Sequence, residues 1–185
     1  MNKFKFFDDP FPDLQNLDIR GKRVRLASIS SVYTQEIYQE FTSEVTRYMF
    51  PKPPERVEET QEFINNSLKS MRNGNNLVLV ILLAQTDEFL GCCGLHGQKN
   101  VRLPELGIWL KVDAHGQRFG REAITTLVNW ASENIELEGF IYPVDRENIA
   151  SRKIPESLGG QVFKEAQVTS LSGYVLDEVV YKIPV

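Results

Sequence analysis

Cysteine and histidine are scarce in this sequence, which has two of each in 185 residues. Cys92 and Cys93 are adjacent in an apolar stretch, so they form neither a disulfide framework nor a CxxC metal or redox pattern, and we expect both to be buried. His96 and His115 have no second histidine or carboxylate at the spacing of a metal site. The sequence therefore predicts no metal and no structural disulfide.

Long apolar runs and an excess of positive charge are also missing. No stretch approaches the roughly 20 apolar residues that a membrane span needs, and the first residues, MNKFKFFDDPFPD, lack the apolar core of a signal peptide. The net charge of −4 leaves no positive surface field of the kind that nucleic-acid binding needs. We therefore expect a cytoplasmic protein that binds neither nucleic acid nor membrane, and whose charge suits an amine or a basic peptide.

The length and the pattern of the chain predict one domain. A chain of this size can bury about 70% of the surface that its unfolded form exposes, and the sequence has no internal repeat, low-complexity tract or flexible linker. We expect a single domain over residues 1–185, with residues 1–19 loosely ordered.

Hydrophobic periodicity predicts a mixed α/β chain with one central sheet of about seven strands, flanked by four helices. The predicted strands are Lys22–Ser28, Leu77–Ala84, Phe89–Leu95, Leu103–Val112, Phe140–Val144, Gly160–Val168 and Tyr174–Ile183. The predicted helices are Ser31–Phe41, Glu58–Arg72, Phe119–Asn134 and Asn148–Leu158. A stripe at helical spacing in the second helix is predicted to face the core: Phe63, Ile64, Leu68 and Met71.

The passage from the fourth strand into the longest amphipathic helix, D-A-H-G-Q-R-F-G-R-E-A, is the segment that indicates chemistry. A strand that ends in such a glycine-containing turn aims the unpaired N–H groups of the following helix outward, and the helix dipole adds partial positive charge. Arg118 and Arg121 flank this turn and add to its positive charge. The segment is neither a Walker loop nor a G-x-G-x-x-G fingerprint, so it indicates a phosphate site without naming the ligand.

Three runs, in this order and spacing, resemble the acetyl-CoA core of the GNAT N-acetyltransferase superfamily. They are E-L-G-I-W-L-K-V from Glu105, H-G-Q-R-F-G-R-E-A from His115 and D-R-E-N-I-A-S-R-K-I-P-E-S-L-G-G from Asp145. A narrower resemblance is to the ribosomal-protein N-terminal acetyltransferases, through the segments Arg23–Leu26, Glu44–Tyr48 and Asn148–Ser151. The resemblance covers the chain from about residue 20 onwards. It implies a mostly antiparallel twisted sheet, splayed between its fourth and fifth strands, with the pantetheine arm of acetyl-CoA in the opening.

The resemblance also implies which residues bind the co-substrate acetyl-CoA. Leu110 and Val112 would bond the pantetheine through their backbone, and Asn148 would contact the same arm. The N–H groups at the helix start would bind the pyrophosphate: those of Gln117, Arg118, Phe119, Gly120 and Arg121.

Two catalytic residues are implied in the same way. Glu105 would accept the proton of the amine, directly or through water, and Ser151 would protonate the leaving thiolate. From the residues alone, Glu105 also fits a solvent-facing strand residue and Ser151 a helix cap. Tyr142 and Tyr174 remain alternative proton donors, because many relatives use a tyrosine. We expect His96 and His115 to be non-catalytic, with His96 a poor alternative base.

The sequence departs from the family pattern at three places. His115 replaces a glutamine or arginine, and Arg118 replaces the first signature glycine. Because the N–H groups of the helix start need only helical dihedrals, we expect Arg118 to lie at that start at little cost and to add a guanidinium contact to a phosphate. Pro155 is expected to interrupt the last helix, and Glu156–Gly160 replaces the usual E-K-x-G-F ending.

The family reaction is direct attack of an amine on the acetyl thioester. A lysine, with a pKa of about 10.4, is less than about 0.1% neutral at pH 7, whereas an α-amine is about 10% neutral. A weakly defined base therefore favours an α-amine, such as a protein or peptide N-terminus, or a small-molecule amine. We expect the loops around Arg47–Arg56 and Leu171–Val175 to select it. A non-catalytic CoA-binding or protein-interaction module on the same fold is the alternative, and a homodimer is left open.

Overall fold

A computed structural model of the chain describes residues 3–8 and 12–185. Its eight strands are β1 (Asp18–Arg20), β2 (Val24–Ser28), β3 (Asn76–Leu83), β4 (Phe89–His96), β5 (Glu105–Leu110), β6 (Phe140–Asp145), β7 (Gln161–Thr169) and β8 (Val175–Ile183). Its four α-helices are α1 (Thr34–Glu40), α2 (Val57–Arg72), α3 (Phe119–Asn134) and α4 (Ile149–Ser157). Short 3-10 turns lie at Ser31–Tyr33, Val45–Tyr48 and Val112–Ala114.

The strands form one sheet in the order β1-β2-β3-β4-β5-β6-β8-β7. The fold class is confirmed, with one strand more than predicted. That strand, β1, lies in the segment predicted to be loose, and it pairs with β2 through Ile19 and Leu26. A strand of three residues is too short to show an alternation of apolar and polar side chains, so only its pairing with β2 identifies it.

The sheet opens between β5 and β6, as predicted. These two strands are the parallel neighbours, and they meet in one pair, Glu105 with Ile141. Beyond it β6 pairs antiparallel with β8 along its whole length, while β5 pairs with β4 on its other side. The edge of β5 from Leu106 to Leu110 therefore borders a gap instead of a strand.

Helices cover both faces of the sheet. α1 and α2 pack on the face of β3 and β4, and α3 and α4 pack on the opposite face. The third predicted helix was expected to be amphipathic, and the apolar residues that line its inner face, with Ile135 just after its end, are all buried: Ala123, Ile124, Leu127, Val128, Ala131 and Ile135. In α2 the prediction is correct for Ile64 and Met71, but Phe63 is 45% exposed and lines a cavity described below.

The N-terminal segment is tied to the domain wherever it is described. Phe4 is buried and its N–H donates to Gly74 O, while Phe6 forms a β-bridge with Ile135. Phe4 and Phe6 pack against the core, whereas Phe7 is 58% exposed, so the segment predicted to be loosely ordered is held to the domain through part of its side chains. Residues 1, 2 and 9–11, which belong to the same prediction, lie outside the described residues.

Pro155 does not interrupt α4, contrary to expectation. The helix continues through it to Ser157, because a proline near the end of a helix removes a single intrahelical hydrogen bond. Beyond Ser157 the chain turns at Gly159, which has a positive φ of 75°, and the N–H of Gly160 donates to Pro155 O. Within the described ranges, none of the helices has the length and apolar character needed to cross a bilayer.

Candidate active site

The first part of the site is the start of α3, which follows β5 through the turn at Val112–Ala114. Gly116 has a positive φ of 74°, so the chain reverses there in a conformation that glycine adopts without strain. Arg118 is the N-cap residue, and its side chain makes no capping hydrogen bond. The N–H groups of Phe119, Gly120 and Arg121 form the first turn and have no intrahelical partner. These donors and the helix dipole can hold an anion.

Arg118 does not have the helical dihedrals that we expected. Its φ of 65° and ψ of 16° lie in the left-handed region, which costs a residue with a side chain roughly 1–2 kcal/mol. This geometry explains why the family pattern has glycine there. The expectation that the lost glycine costs little is therefore wrong for the free protein.

Arg23, which directly precedes β2, clamps this helix start. Its guanidinium donates to Glu122 Oε2 at 2.8 Å and to Gln117 O at 3.2 Å, and it lies 4.7 Å from the centre of the Phe119 ring. The N–H groups of Arg23 and Val24 both donate to Glu122 Oε1. Burial by itself would raise the pKa of Glu122, but these hydrogen bonds and the charge of Arg23 hold it below its usual value.

Gly120 lies where α3 rests on the sheet. A Cβ at this position would be 3.4 Å from Cδ1 of both Ile108 and Leu110 and 3.5 Å from Cδ1 of Ile154. The glycine therefore brings α3 close to β5 and α4. Its N–H remains at the helix start, as predicted, but its missing side chain serves helix packing.

The two residues implied in pantetheine binding lie at the end of β5. Leu110 is the last residue of the strand, beside the gap, and its carbonyl accepts a hydrogen bond from His115 Nε2 at 2.9 Å. Val112 opens the following 3-10 turn, and its carbonyl accepts from the N–H of His115. His115 thus holds the segment that joins β5 to α3.

Asn148 and Ser151 lie together at the start of α4. Asn148 is the N-cap residue, and its Oδ1 accepts from the N–H of Ser151 at 3.2 Å. The cap that the sequence offered as an alternative for Ser151 is therefore made by Asn148. The Ser151 hydroxyl is free to bond elsewhere, and it lies 2.8 Å from the hydroxyl of Tyr142 on β6.

Tyr142 and Tyr174, the alternative proton donors, have opposite surroundings. Tyr142 is 2% exposed, and burial raises the pKa of its hydroxyl well above the usual value. It therefore keeps its proton at neutral pH. Tyr174 is 61% exposed in the turn between β7 and β8. The structure thus joins Tyr142, not Tyr174, to Ser151.

Glu105 begins β5 at the closed end of the gap. It pairs across the ladder with His96 on β4, and its carboxylate lies 4.0 Å from Lys99 Nζ. Directly opposed residues of an antiparallel pair project to the same face. Glu105 and His96 are therefore neighbours on the face that carries α1 and α2.

A cavity of about 410 Å³ lies on that face. Its floor is formed by β4 and β5, including Gly94, His96, Gly107 and Trp109, and its walls come from α1, α2 and two loops. Those loops contribute Met49, Pro51, Lys52, Pro54 and Leu171. Residues of both loop regions that we expected to select the acceptor therefore line one cavity.

A family model for the acetyltransferase (GNAT) domain matches residues 23–161. This chain belongs to the GNAT acetyltransferase family. It is 30% identical over 122 residues to the uncharacterized N-acetyltransferase p20 of Bacillus licheniformis. The aligned region covers 64% of this chain and 67% of that protein.

Solved structures show the same fold. An acetyltransferase of Salmonella typhimurium that modifies the N-terminal serine of ribosomal protein L7/L12 superposes with a TM-score of 0.80 at 14% identity, over 91% of this chain and 99% of that one. The microcin C7 self-immunity acetyltransferase, in complex with acetyl-CoA and AMP, superposes with a TM-score of 0.77 at 18% identity, over 89% and 93%. Acetyl-CoA is thus bound by a protein of this fold, and the neighbours include the ribosomal-protein branch suggested by the sequence.

In this GNAT domain the residues selected from the sequence divide between two faces. The α3 start, Asn148 and the Ser151–Tyr142 pair lie on the α3 and α4 face, and Glu105 lies on the cavity face. Sequence reasoning missed Arg23, although it stands in the segment that carried the narrower resemblance. Its partner Glu122 is 99 residues away, and no local pattern reports such a contact.

Proposed function

We propose that this protein is an acetyl-CoA-dependent N-acetyltransferase that acts in the cytoplasm on a primary amine, either a protein or peptide N-terminus or a small-molecule amine. Acetyl-CoA is a substrate of this reaction, and no metal takes part. The relatives described as N-acetyltransferases support the choice of an amine acceptor.

The observation that carries the proposal is the gap between β5 and β6. On the face of α3 and α4 it borders an anion site with free N–H groups, and on the other face it borders an apolar cavity of about 410 Å³. A thioester in this gap would have its phosphates on one face and its acceptor on the other. The free edge of β5 would supply backbone groups to the pantetheine amides.

The residues on the two faces would serve the two halves of the reaction. The amine nitrogen attacks the thioester carbon and loses a proton towards the cavity face, where Glu105 stands. The C–S bond then breaks and the thiolate takes a proton on the opposite face, where the Ser151 and Tyr142 hydroxyls lie 2.8 Å apart. A thiol pKa of about 8.5 makes the thiolate a fair leaving group, so deprotonation of the amine is the more demanding half.

Two measurements test the proposal. Acetyl-CoA should raise the melting temperature, because only the native turn presents the N–H groups of α3. In the second, released thiol is titrated with acetyl-CoA and matched forms of one peptide, with either its α-amine or its single lysine blocked. We expect thiol release with the free α-amine. With the free lysine alone, release should be at least about tenfold slower, since lysine is rarely neutral at pH 7.

The same assay separates the alternative. A rise in melting temperature without thiol release, for every peptide and every small-molecule amine, would favour the non-catalytic CoA-binding module. Absence of both effects would contradict acetyl-CoA binding itself.

A further inference from the structure

We propose that His96 accepts the proton of the acceptor amine in the cavity, so that the base of this enzyme is an imidazole on β4. The inference rests on the proposed function and changes the expected role of Glu105, its neighbour across the ladder. It is carried by a hydrogen-bonded chain of four residues and by two glycines beneath the ring.

The chain of hydrogen bonds determines which ring nitrogen of His96 carries the hydrogen. The Ser70 hydroxyl donates to Ser67 O at 2.9 Å, so its oxygen can only accept from Asn76 Nδ2, which lies 2.8 Å away. This orients Asn76 Oδ1, an acceptor, towards His96 Nδ1 at 2.7 Å. Nδ1 must therefore be the donor, and the neutral ring keeps its lone pair on Nε2.

That lone pair is free to act. In residues 3–8 and 12–185, His96 makes its ring hydrogen bond through Nδ1, and no protein group bonds Nε2. The residue lines the cavity, with Nε2 above Gly107, where a Cβ would lie 3.0 Å from it. A Cβ at Gly94 would lie 2.8 Å from Cε1 and 2.9 Å from Nε2. The two glycines leave room for the ring to lie across the cavity floor.

The surroundings keep the ring neutral and therefore able to accept a proton. Burial lowers the pKa of His96 below its ordinary value. Charged residues on this face include Glu105 opposite on β5, with Lys99 4.0 Å from its carboxylate, and Lys52 and Glu59 in the cavity walls. The two cysteines of the cavity floor stay neutral, because burial raises their pKa.

The amine nitrogen bonds to the acetyl carbon, and the carbonyl π electrons move to oxygen. The proton of the resulting ammonium passes to His96 Nε2. Collapse of the adduct breaks the C–S bond, and the sulfur leaves with the electron pair and takes a proton from the Ser151–Tyr142 pair. The imidazolium releases its proton to water, and water restores the hydroxyl.

The pH dependence of kcat/KM provides the first test, with an acceptor peptide of known α-amine pKa. Both the amine and His96 must be neutral, so log kcat/KM should rise with a slope of two below the pKa of His96 and a slope of one between that pKa and the pKa of the amine. His96→Gln should lower kcat/KM by about 10²-fold and leave a slope of one throughout.

Asn76→Asp tests the role of the ring by moving its pKa. A carboxylate in place of the amide oxygen favours the imidazolium, so the change from slope two to slope one should move upward by about one pH unit or more. A residue that only packs against the cavity would leave the shape of the profile unchanged. His96→Ala should regain activity with added imidazole, whereas His96→Gln, which fills the space, should not.

Results that contradict His96 as the base differ from results that contradict the proposed function. If the protein releases no thiol with any amine, the proposed function fails. If it is active and the wild-type profile has a slope of one throughout, or if His96→Gln keeps wild-type activity, His96 is not the base. A profile that loses its slope of two in Glu105→Gln instead would assign the proton to the carboxylate.

Discussion

The hydroxyl oxygens of Tyr142 and Ser151 lie 2.8 Å apart, and this short contact joins strand β6 to the first turn of α4. Tyr142 is almost fully buried and keeps its proton, while Asn148 caps the helix through the N–H of Ser151. We therefore propose that the two hydroxyls serve together as the acid, as one hydrogen-bonded unit in which a proton lost by either oxygen can be replaced from the other.

The first prediction concerns this pair. We expect Tyr142→Phe and Ser151→Ala each to lower kcat by about tenfold, less than loss of the base, because the thiolate is a fair leaving group. The double variant should be no slower than the slower single variant, since residues that act as a unit are not additive. Acetyl transfer to one amine at saturating acetyl-CoA measures all three.

Tyr181→Phe is the matched control for that series. Tyr181 is the cross-strand neighbour of Tyr142 on β8, but its hydroxyl bonds Arg152 and Glu156 instead of Ser151. Its kcat should stay within about twofold of the wild-type value, because removing a hydroxyl outside the pair leaves proton transfer intact. Strictly additive losses in Tyr142→Phe and Ser151→Ala would contradict a shared role.

The second prediction concerns the packing of Gly120. Gly120→Ala should change the free energy of unfolding by less than about 1 kcal/mol, because its Cβ meets Ile108 and Leu110 at 3.4 Å and alanine favours the helix. Gly120→Val should destabilise by about 1–3 kcal/mol, since the added methyls overpack the contact between α3 and β5. Urea unfolding measures both, and a valine variant as stable as the wild type would show that α3 can move away from the sheet.

The third prediction concerns the clamp between Arg23 and Glu122. The pKa of Glu122 is lowered in the folded state, so its carboxylate contributes stability above its unfolded pKa of about 4.3. That contribution is lost as the pH falls through the lower, folded pKa. Glu122→Gln should therefore cost about 1 kcal/mol at pH 7, discounted because Arg23 is half exposed, and almost nothing at about pH 3.

Glu136→Gln is the control for this pH dependence. Glu136 pairs with Lys5, whose side chain is 74% exposed, so the loss at pH 7 should be within about 0.5 kcal/mol. Urea midpoints at both pH values measure the two variants. An equal loss for Glu122→Gln at pH 7 and at low pH would show that shape, not charge, explains the clamp.

The sequence-based predictions succeeded for features that a local pattern encodes, and they missed contacts between segments that are far apart in the chain. The buried stripe of α3 and the opening beside β5 were predictable, because periodicity and a family motif both report on local segments. The contacts of Glu122 with Arg23 and of His96 with Asn76 join segments that are far apart in the chain, and β1 is too short to show a pattern. The positive φ of Arg118 results from the chain reversal around it. The residue type alone favours helical dihedrals, and this is why the expectation for Arg118 was wrong.

The last prediction separates the two effects of Arg118, which strains the turn and carries a charge beside the anion site. Arg118→Gly should raise the free energy of unfolding by about 0.5–1 kcal/mol, because glycine adopts the left-handed conformation without the steric cost, although it loses more chain entropy on folding. Arg118→Ala keeps the strain and should change stability little. Urea unfolding without acetyl-CoA measures the effect of this backbone strain on stability, separately from any effect on binding.

The affinity for CoA should fall in Arg118→Gly and Arg118→Ala, although the glycine variant is expected to be more stable. Both variants lose the guanidinium, and a charge-assisted hydrogen bond to a phosphate contributes roughly 1.5–3 kcal/mol, so each should bind CoA about tenfold or more weakly. Moderate salt should weaken wild-type binding and narrow this difference through screening, while Arg118→Lys should keep part of the affinity. Calorimetry with CoA at two salt concentrations measures these terms. If Arg118→Gly were more stable and also bound CoA more tightly, the arginine would obstruct the phosphate site, and the chain would fit the non-catalytic module better than the enzyme.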